Sequence, residues 1–260
     1  MSRFDWKLAL SVGIDAMNDR SLCALSDAGI HDIELCFPRA TYCIPYPRQA
    51  KELHALAKSH GVSVSSIHLP FCDGNPASRN EGLREAVITM QRTLMEVAAE
   101  NGTSIAILHP SAEPYGEEER PHRIELAIDM VARLTDAANA CGVTLALENL
   151  PRTCLCRSSD EMRAFLDAIP DLRVCFDTNH ALIEDNLHYL RAVADRLVTL
   201  HVSDYDRIDE KHWLPTEGVN DWGQILRTLE EIGYRGRFLY ETVEKTPSVI
   251  RQNYDRLLAL

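Results

Sequence analysis

Residues 143–180 read VTLALENLPRTCLCRSSDEMRAFLDAIPDLRVCFDTNH, and this stretch decides the fold. An apolar run, VTLAL, ends on the carboxylate of Glu148. An amphipathic segment, SSDEMRAFLDAI, follows, and a second apolar run, LRVCF, ends on Asp177. Neither run alternates strictly between apolar and polar, as expected of parallel strands buried on both faces. The same strand-then-helix unit recurs along the chain. LALSVG, DIELCF, VSVSSIHL and SIAILHP precede this stretch; LVTLHVSDYD and RFLYET follow it; each leads into an amphipathic segment, making eight units. Unbroken alternation over eight units predicts a closed (β/α)8 barrel in preference to an open doubly wound sheet. No GxGxxG follows the first run, so the usual dinucleotide signature is missing.

The helical segments are read from their period. Leu83, Val87, Met90, Leu94 and Val97 lie on one predicted helix face, with charges opposite. Gly29, Gly61, Gly102, Gly142 and Gly233 each close a periodic stretch just before the next apolar run. No linker or composition break interrupts residues 1–260, which predicts one barrel domain, and roughly 250 residues is the usual size of such a barrel. The formal charge of −12 disfavours nucleic acid, whose binding relies on Lys and Arg neutralising phosphates. Neither the opening MSRFDWKLAL nor any long apolar run suggests a secretory signal or a membrane span. The eight cysteines read as reduced thiols of a cytoplasmic protein, and Cys154-Leu-Cys156 alone is a weak zinc signal.

Barrel chemistry gathers at the C-terminal ends of the strands. There the sequence places Glu34, His68, His109, Glu148 with Asn149, Asp177 with His180, His201 with Asp204, and Glu241. Any one of these alone is more often a cap or a backbone partner. Their joint placement on one rim points to a site. Glu148, Asp177, His201 and Glu241 offer hard oxygens and one imidazole, a set suited to one divalent ion, Mn²⁺, Mg²⁺ or Co²⁺, with Zn²⁺ tolerated. His68 and His109 are read as substrate-hydroxyl partners ahead of a second metal site. Arg152 is a candidate phosphate or carboxylate partner, though a rim arginine is more often ion-paired. Trp222 is equally a packing residue or a pocket wall, Asp221 reads as the N-cap of the seventh barrel helix, and GEEER at 116–120 reads as a solvated face.

The segments LENLPR, FDTNH, LHVSDYDRIDEKHWLPTEGVNDW and FLYET resemble the xylose isomerase-like barrel superfamily. This group includes sugar phosphate isomerases and epimerases, ketose 3-epimerases, inosose dehydratases and abasic-site endonucleases. The resemblance spans essentially the whole chain. It implies Glu148, Asp177, His201 and Glu241 as metal ligands, with His180 and His212 near the substrate or a further metal. Two departures stand out. Ketose 3-epimerases carry another Glu shortly after the strand-5 ligand, where this chain has about Cys154. The endonucleases hold three zinc ions using Asp-x-His, where this chain has Glu210 before His212.

The expected chemistry follows from the residues. A divalent ion chelated by a substrate carbonyl and its neighbouring hydroxyl stabilises the enediolate formed when the adjacent C–H proton leaves. Glu148 and Glu241, as catalytic acid and base, approach from opposite faces. Returning the proton to the same carbon epimerises, and returning it to the neighbouring carbon isomerises. Loss of a hydroxyl dehydrates, as in an inosose-dehydratase-like lyase. The expected partner is a small polyol, sugar or sugar phosphate, with a homo-oligomer allowed. The alternatives are a zinc-dependent abasic-site endonuclease and a barrel that binds without turnover.

Overall fold

The computed structural model describes residues 6–112 and 115–260. Eight parallel strands, β1 (Lys7–Gly13), β2 (Asp32–Cys36), β3 (Ser63–His68), β4 (Ile105–Leu108), β5 (Thr144–Glu148), β6 (Arg173–Asp177), β7 (Leu197–Val202) and β8 (Arg237–Tyr240), pair in sequence order. β8 returns to β1, closing the barrel. The principal helices between them are α1 (Asp19–Asp27), α3 (Tyr46–Ser59), α4 (Glu81–Glu100), α5 (Arg120–Cys141), α6 (Ser159–Ala168), α7 (Asn186–Ala192), α8 (Trp222–Glu231) and α9 (Pro247–Leu257). Two short pieces lie outside the expected alternation, a 3₁₀ turn at Ile14–Ala16 and a single helical turn, α2 (Ala40–Cys43).

Strand parity positions the site. Successive side chains of a strand point to opposite faces, and here the two faces differ in size and polarity. Outward residues such as Leu145, Leu147, Val174, Phe176, Leu200, Phe238 and Tyr240 pack under the helices in the main core. Inward residues are small or polar, and Ile107, Ala146 and Cys175 form a separate cluster inside the barrel. Glu148 follows Ala146 by two positions, Asp177 follows Cys175, and His109 follows Ile107. The inward face therefore changes from apolar floor to ionisable rim within one step along β4, β5 and β6. Two bulges, between Ile33 and Glu34 and between Val174 and Cys175, adjust the register on the way.

Some expectations shift. The buried stripe of α4 runs through Val87, Gln91, Leu94, Met95 and Ala98, and Leu83 is 42% exposed at the helix start. Gln91 is tolerated there because its amide donates to the Pro70 carbonyl. Glu34 is the third residue of β2, so it lies inside the barrel below the rim. No disulfide joins any of the eight cysteines among the described residues, and no described helix is long and apolar enough to cross a membrane. Asp221 caps α8 as read, accepting from the Gln224 amide. The five helix-closing glycines all have positive φ.

Gly142, at φ 78°, caps α5 in the left-handed conformation with open space around the position a Cβ would take. Gly142→Ala therefore isolates backbone strain, and we expect a loss of about 1 kcal/mol with no change at the site. Urea unfolding that leaves the midpoint unchanged would contradict this account of how α5 ends.

Candidate active site

A cavity of about 310 Å³ opens at the C-terminal rim, lined among others by His68, His109, Glu148, Arg152, Cys154, His180, Glu210, His212 and Glu241. This is near the lower end for ligand cavities, roughly 300–1,000 Å³, and suits a molecule of monosaccharide size. At its base, single ligand atoms of Glu148, Asp177, His201 and Glu241 all lie within 4.8 Å of one another. His201 Nδ1 stands 3.1 Å from Glu148 Oε1 and 3.0 Å from Glu241 Oε2. Asn149 and Asp177 fix the ends of β5 and β6 by exchanging two hydrogen bonds, Asn149 Nδ2 donating to the Asp177 carbonyl and Asp177 N donating to Asn149 Oδ1.

The histidines are oriented by backbone. His68 Nδ1 faces the Leu69 carbonyl at 3.0 Å, His180 Nδ1 the Asn149 carbonyl at 2.9 Å, and His212 Nδ1 the Glu241 carbonyl at 2.9 Å. A carbonyl oxygen only accepts, so each Nδ1 carries a proton and each ring turns its Nε2 elsewhere. For His68, Nε2 meets Glu148 Oε2 at 3.1 Å, and for His180 it meets Glu210 Oε2 at 3.1 Å. His109 Nε2 also lies 3.1 Å from Glu148 Oε2. Acceptors this close need a shared proton or a cation between them. Asp177 Oδ2, fully buried, likewise has no hydrogen-bond partner. The donor set therefore fits a divalent ion.

Charge follows the same geometry. Burial pushes Glu148 up, but His201 and His109 outweigh it and hold the carboxyl well below the usual range. Burial likewise opposes ionisation of Glu241, and His201 again prevails, so it too stays ionised. Asp177 is pushed up by burial, against His180 and His212, to about 6. His180 resists burial through Asp177 and Glu210 and rises to about 10, while Glu210, despite burial, falls to about 2 beside His180 and Arg152.

Of the residues expected to bind substrate, His68, His109, His180, His212 and Arg152 line the cavity. The Arg152 guanidinium is engaged by Asp209 at 2.7 Å and Glu210 at 3.0 Å. Trp222 is a packing residue: 2% exposed, it lies edge-on to Phe238 and donates its indole N–H to Asp204 Oδ2. Asp204, placed on the rim from sequence, organises the loop after β7. It accepts from Trp222 and from the amides of Tyr205, Thr216 and Asn220. Arg120 in GEEER is 4% exposed, not solvated; it grips Glu161 and the Thr153 and Cys154 carbonyls, anchoring the loop behind the cavity wall.

Two contributors were not singled out from sequence. Asn179 Oδ1 receives the amides of Lys211 and His212, bringing the loop after β7 to the segment after β6. Phe71 stacks on His109 at 4.5 Å. Asn179 sits inside FDTNH, but nothing in its spacing distinguishes a loop organiser from a turn residue.

The pair His180–Glu210 has a defined pH window. His180 is raised, so its contribution to stability is complete below its ordinary 6.5 and fades as pH rises towards about 10; Glu210 is lowered, so its contribution is complete above 4.5 and fades as pH falls towards about 2. In metal-free protein, the stability difference between wild type and Glu210→Gln should peak between 4.5 and 6.5 and narrow by pH 10. Urea unfolding across that range checks it, and a difference independent of pH would show that the pair is not coupled.

A family model described as xylose isomerase-like TIM barrel matches residues 22–260. Fructoselysine 3-epimerase of Escherichia coli O157:H7 is 26% identical over 206 residues, covering 75% of this chain and 72% of that protein. Among solved structures, a D-tagatose 3-epimerase-like protein superposes with a TM-score of 0.83 at 21% identity, covering 96% of both chains. The 3-keto-D-glucoside 4-epimerase of E. coli superposes with a TM-score of 0.80 at 17% identity, covering 98% of this chain and 100% of that one.

Proposed function

Because the chain belongs to the xylose isomerase-like TIM barrel family, we propose that it is a divalent-metal-dependent isomerase or epimerase of a small, uncharged keto sugar or keto cyclitol. One observation carries this reading: three carboxylates and the Nδ1 of His201 converge at the base of a monosaccharide-sized cavity. Glu148, Asp177, His201 and Glu241 would hold the ion, which when bound supplies Lewis-acid stabilisation of the negative charge developing on a substrate carbonyl oxygen. Mn²⁺, Mg²⁺, Co²⁺ and Zn²⁺ all accept such a set. The epimerase activities of the proteins it is similar to support the reaction class.

The chain's own residues do the rest. Glu148 and Glu241 both line the cavity and both stay ionised. One, as the carboxylate, takes the proton beside the carbonyl; the other must first gain a proton from solvent, and then returns it to the carbon. His180, held positive between Asp177 and Glu210, shares its Nε2 proton with Glu210, and both side chains line the cavity where a substrate hydroxyl would bond. Phe71 on His109 gives the cavity one apolar wall for the sugar's C–H face. The cation lining the cavity, Arg152, is already shared by two carboxylates. A phosphate would have to compete with both, which favours an uncharged substrate over a sugar phosphate.

A second reading has its own support. Two of the further groups that converge among the described residues are His68 with His109 and Glu148, and His180 with Glu210 and His212. Together with the first set they make three adjoining ligand groups, as a trinuclear zinc endonuclease acting at abasic sites requires. Against it stand the formal charge of −12 and the carboxylates Glu148, Glu210 and Glu241 lining the cavity. Both repel a phosphodiester that Lys and Arg would have to neutralise.

Two measurements test the proposal. Glu148→Gln and Asp177→Asn should fold yet lose tight Mn²⁺ binding by calorimetry; full retention in both removes these ligands. In D₂O, with D-tagatose, D-psicose and a 3-ketoglucoside as a panel, deuterium should enter the carbon next to the carbonyl of at least one sugar. Glu148→Gln or Glu241→Gln should slow that exchange by about 10²–10⁴-fold. If every sugar stays unlabelled while zinc-loaded protein nicks abasic duplex DNA, and His68, His109 and His212 are all needed, the endonuclease reading replaces this one.

A further inference from the structure

Beneath the ligand cluster, β2 puts a carboxylate where the fold has no stability reason for one. Glu34 is 0% exposed and is not among the cavity-lining residues. Its neighbours in register are Ser11 on β1 and Ser66 on β3. Ser66 Oγ donates to Glu34 Oε2 at 3.1 Å. The other partner is His201, whose Nε2 lies 3.2 Å from Oε1 and 3.3 Å from Oε2. Glu34 Oε1 has no hydrogen bond of good geometry. A buried carboxylate with a single hydroxyl donor is costly unless a further charge or proton faces it.

His201 spans the gap between this carboxylate and the candidate metal ligands. Its Nδ1 faces Glu148 and Glu241 at 3.1 and 3.0 Å, and its Nε2 faces Glu34. An imidazole ligates through a nitrogen that carries no proton, so ligation through Nδ1 requires the proton on Nε2. A carboxylate at Nε2 is an acceptor that selects this tautomer, holds the ring plane and makes Nδ1 more basic. The other polar group at the ring, Cys175, is a thiol that burial keeps protonated, a weak acceptor by comparison.

We infer that Glu34 is a positioning residue for the metal site, anchored by Ser66, which fixes His201 with its Nε2 protonated and its Nδ1 turned to Glu148, Asp177 and Glu241. The inference rests on the metal reading above. Glu34 touches no substrate, and its effect passes entirely through His201.

The test uses the full chain and Mn²⁺ alone. Glu34→Ala should weaken Mn²⁺ binding about 10–100-fold by calorimetry. Glu34→Gln should weaken it less, because an amide oxygen still accepts from Nε2–H but brings no charge. A merely structural role would lower the thermal midpoint of metal-free protein in both variants and leave affinity unchanged. Affinities within twofold of wild type in both therefore overturn the inference. Nitrogen-15 NMR of zinc-loaded wild type gives an answer even where a variant fails to fold: His201 should carry its proton on Nε2, and a proton on Nδ1 overturns the assignment. Asp177→Asn separates the two layers. If it binds Mn²⁺ like wild type, the metal reading has failed; if it loses Mn²⁺ while the Glu34 variants keep it, the role of Glu34 alone has failed.

Discussion

The rest of the structure depends on a crowd of ionisable groups held out of water at the barrel's C-terminal end. Glu148, Asp177 and His201 are fully buried, and the Glu241 side chain is 19% exposed. Like charges this close and this dry repel unless a counter-charge separates them. His201, touching Glu34, Glu148 and Glu241 at 3.0–3.2 Å, supplies part of that charge when protonated. A divalent cation supplies more, and then His201 must give up the proton on the side facing it. On the proposed reading, a proton and a metal ion would compete for the same place. Metal affinity should accordingly weaken as protons compete.

The barrel makes this crowd cheap to assemble in sequence and hard to assemble by accident. Glu148 and Asp177 need only be the next inward residues after the apolar Ala146 and Cys175 on their strands. Closure of eight parallel strands then converts separate strand ends into one ring. The cost appears in the loops. Asp204 spends four acceptor contacts ordering the segment after β7, and Gly218 lies so close to the Tyr205 carbonyl that a Cβ would sit 2.2 Å from it. Asn179 and Asn149 then tie that loop and β5 to β6.

Strand ends were legible because an abrupt change from apolar to ionisable is a local signal, visible at Glu148, Asp177, His201 and Glu241 in the chain itself. The helix-closing glycines were legible for the same reason, since a left-handed residue is a local demand. Depth was not. Glu34 reads like another rim residue, yet the bulge at Ile33 and the length of β2 leave it inside the barrel. Long-range pairing was equally hidden. Trp222 is drawn inward by Asp204, eighteen positions earlier, and Arg120 is buried by Glu161 and by carbonyls more than thirty positions away. Residue type and spacing carry no trace of partners that the loops choose.

Arg152 shows how such a hidden partner alters chemistry. As an isolated side chain beside the strand-5 ligand it is an anion receptor. Paired with Asp209 and Glu210, it acts on the site indirectly. It helps keep Glu210 ionised, and Glu210 in turn helps keep His180 positive. Charge is thereby relayed from the loop after β7 to the ring next to Asp177. The cavity wall offers ionised carboxylates and a positive imidazole whose charge is already balanced, a surface that hydrogen-bonds hydroxyls well and attracts anions poorly. An uncharged polyol needs hydroxyl partners of this kind, and a phosphorylated one would have to break the relay to bind.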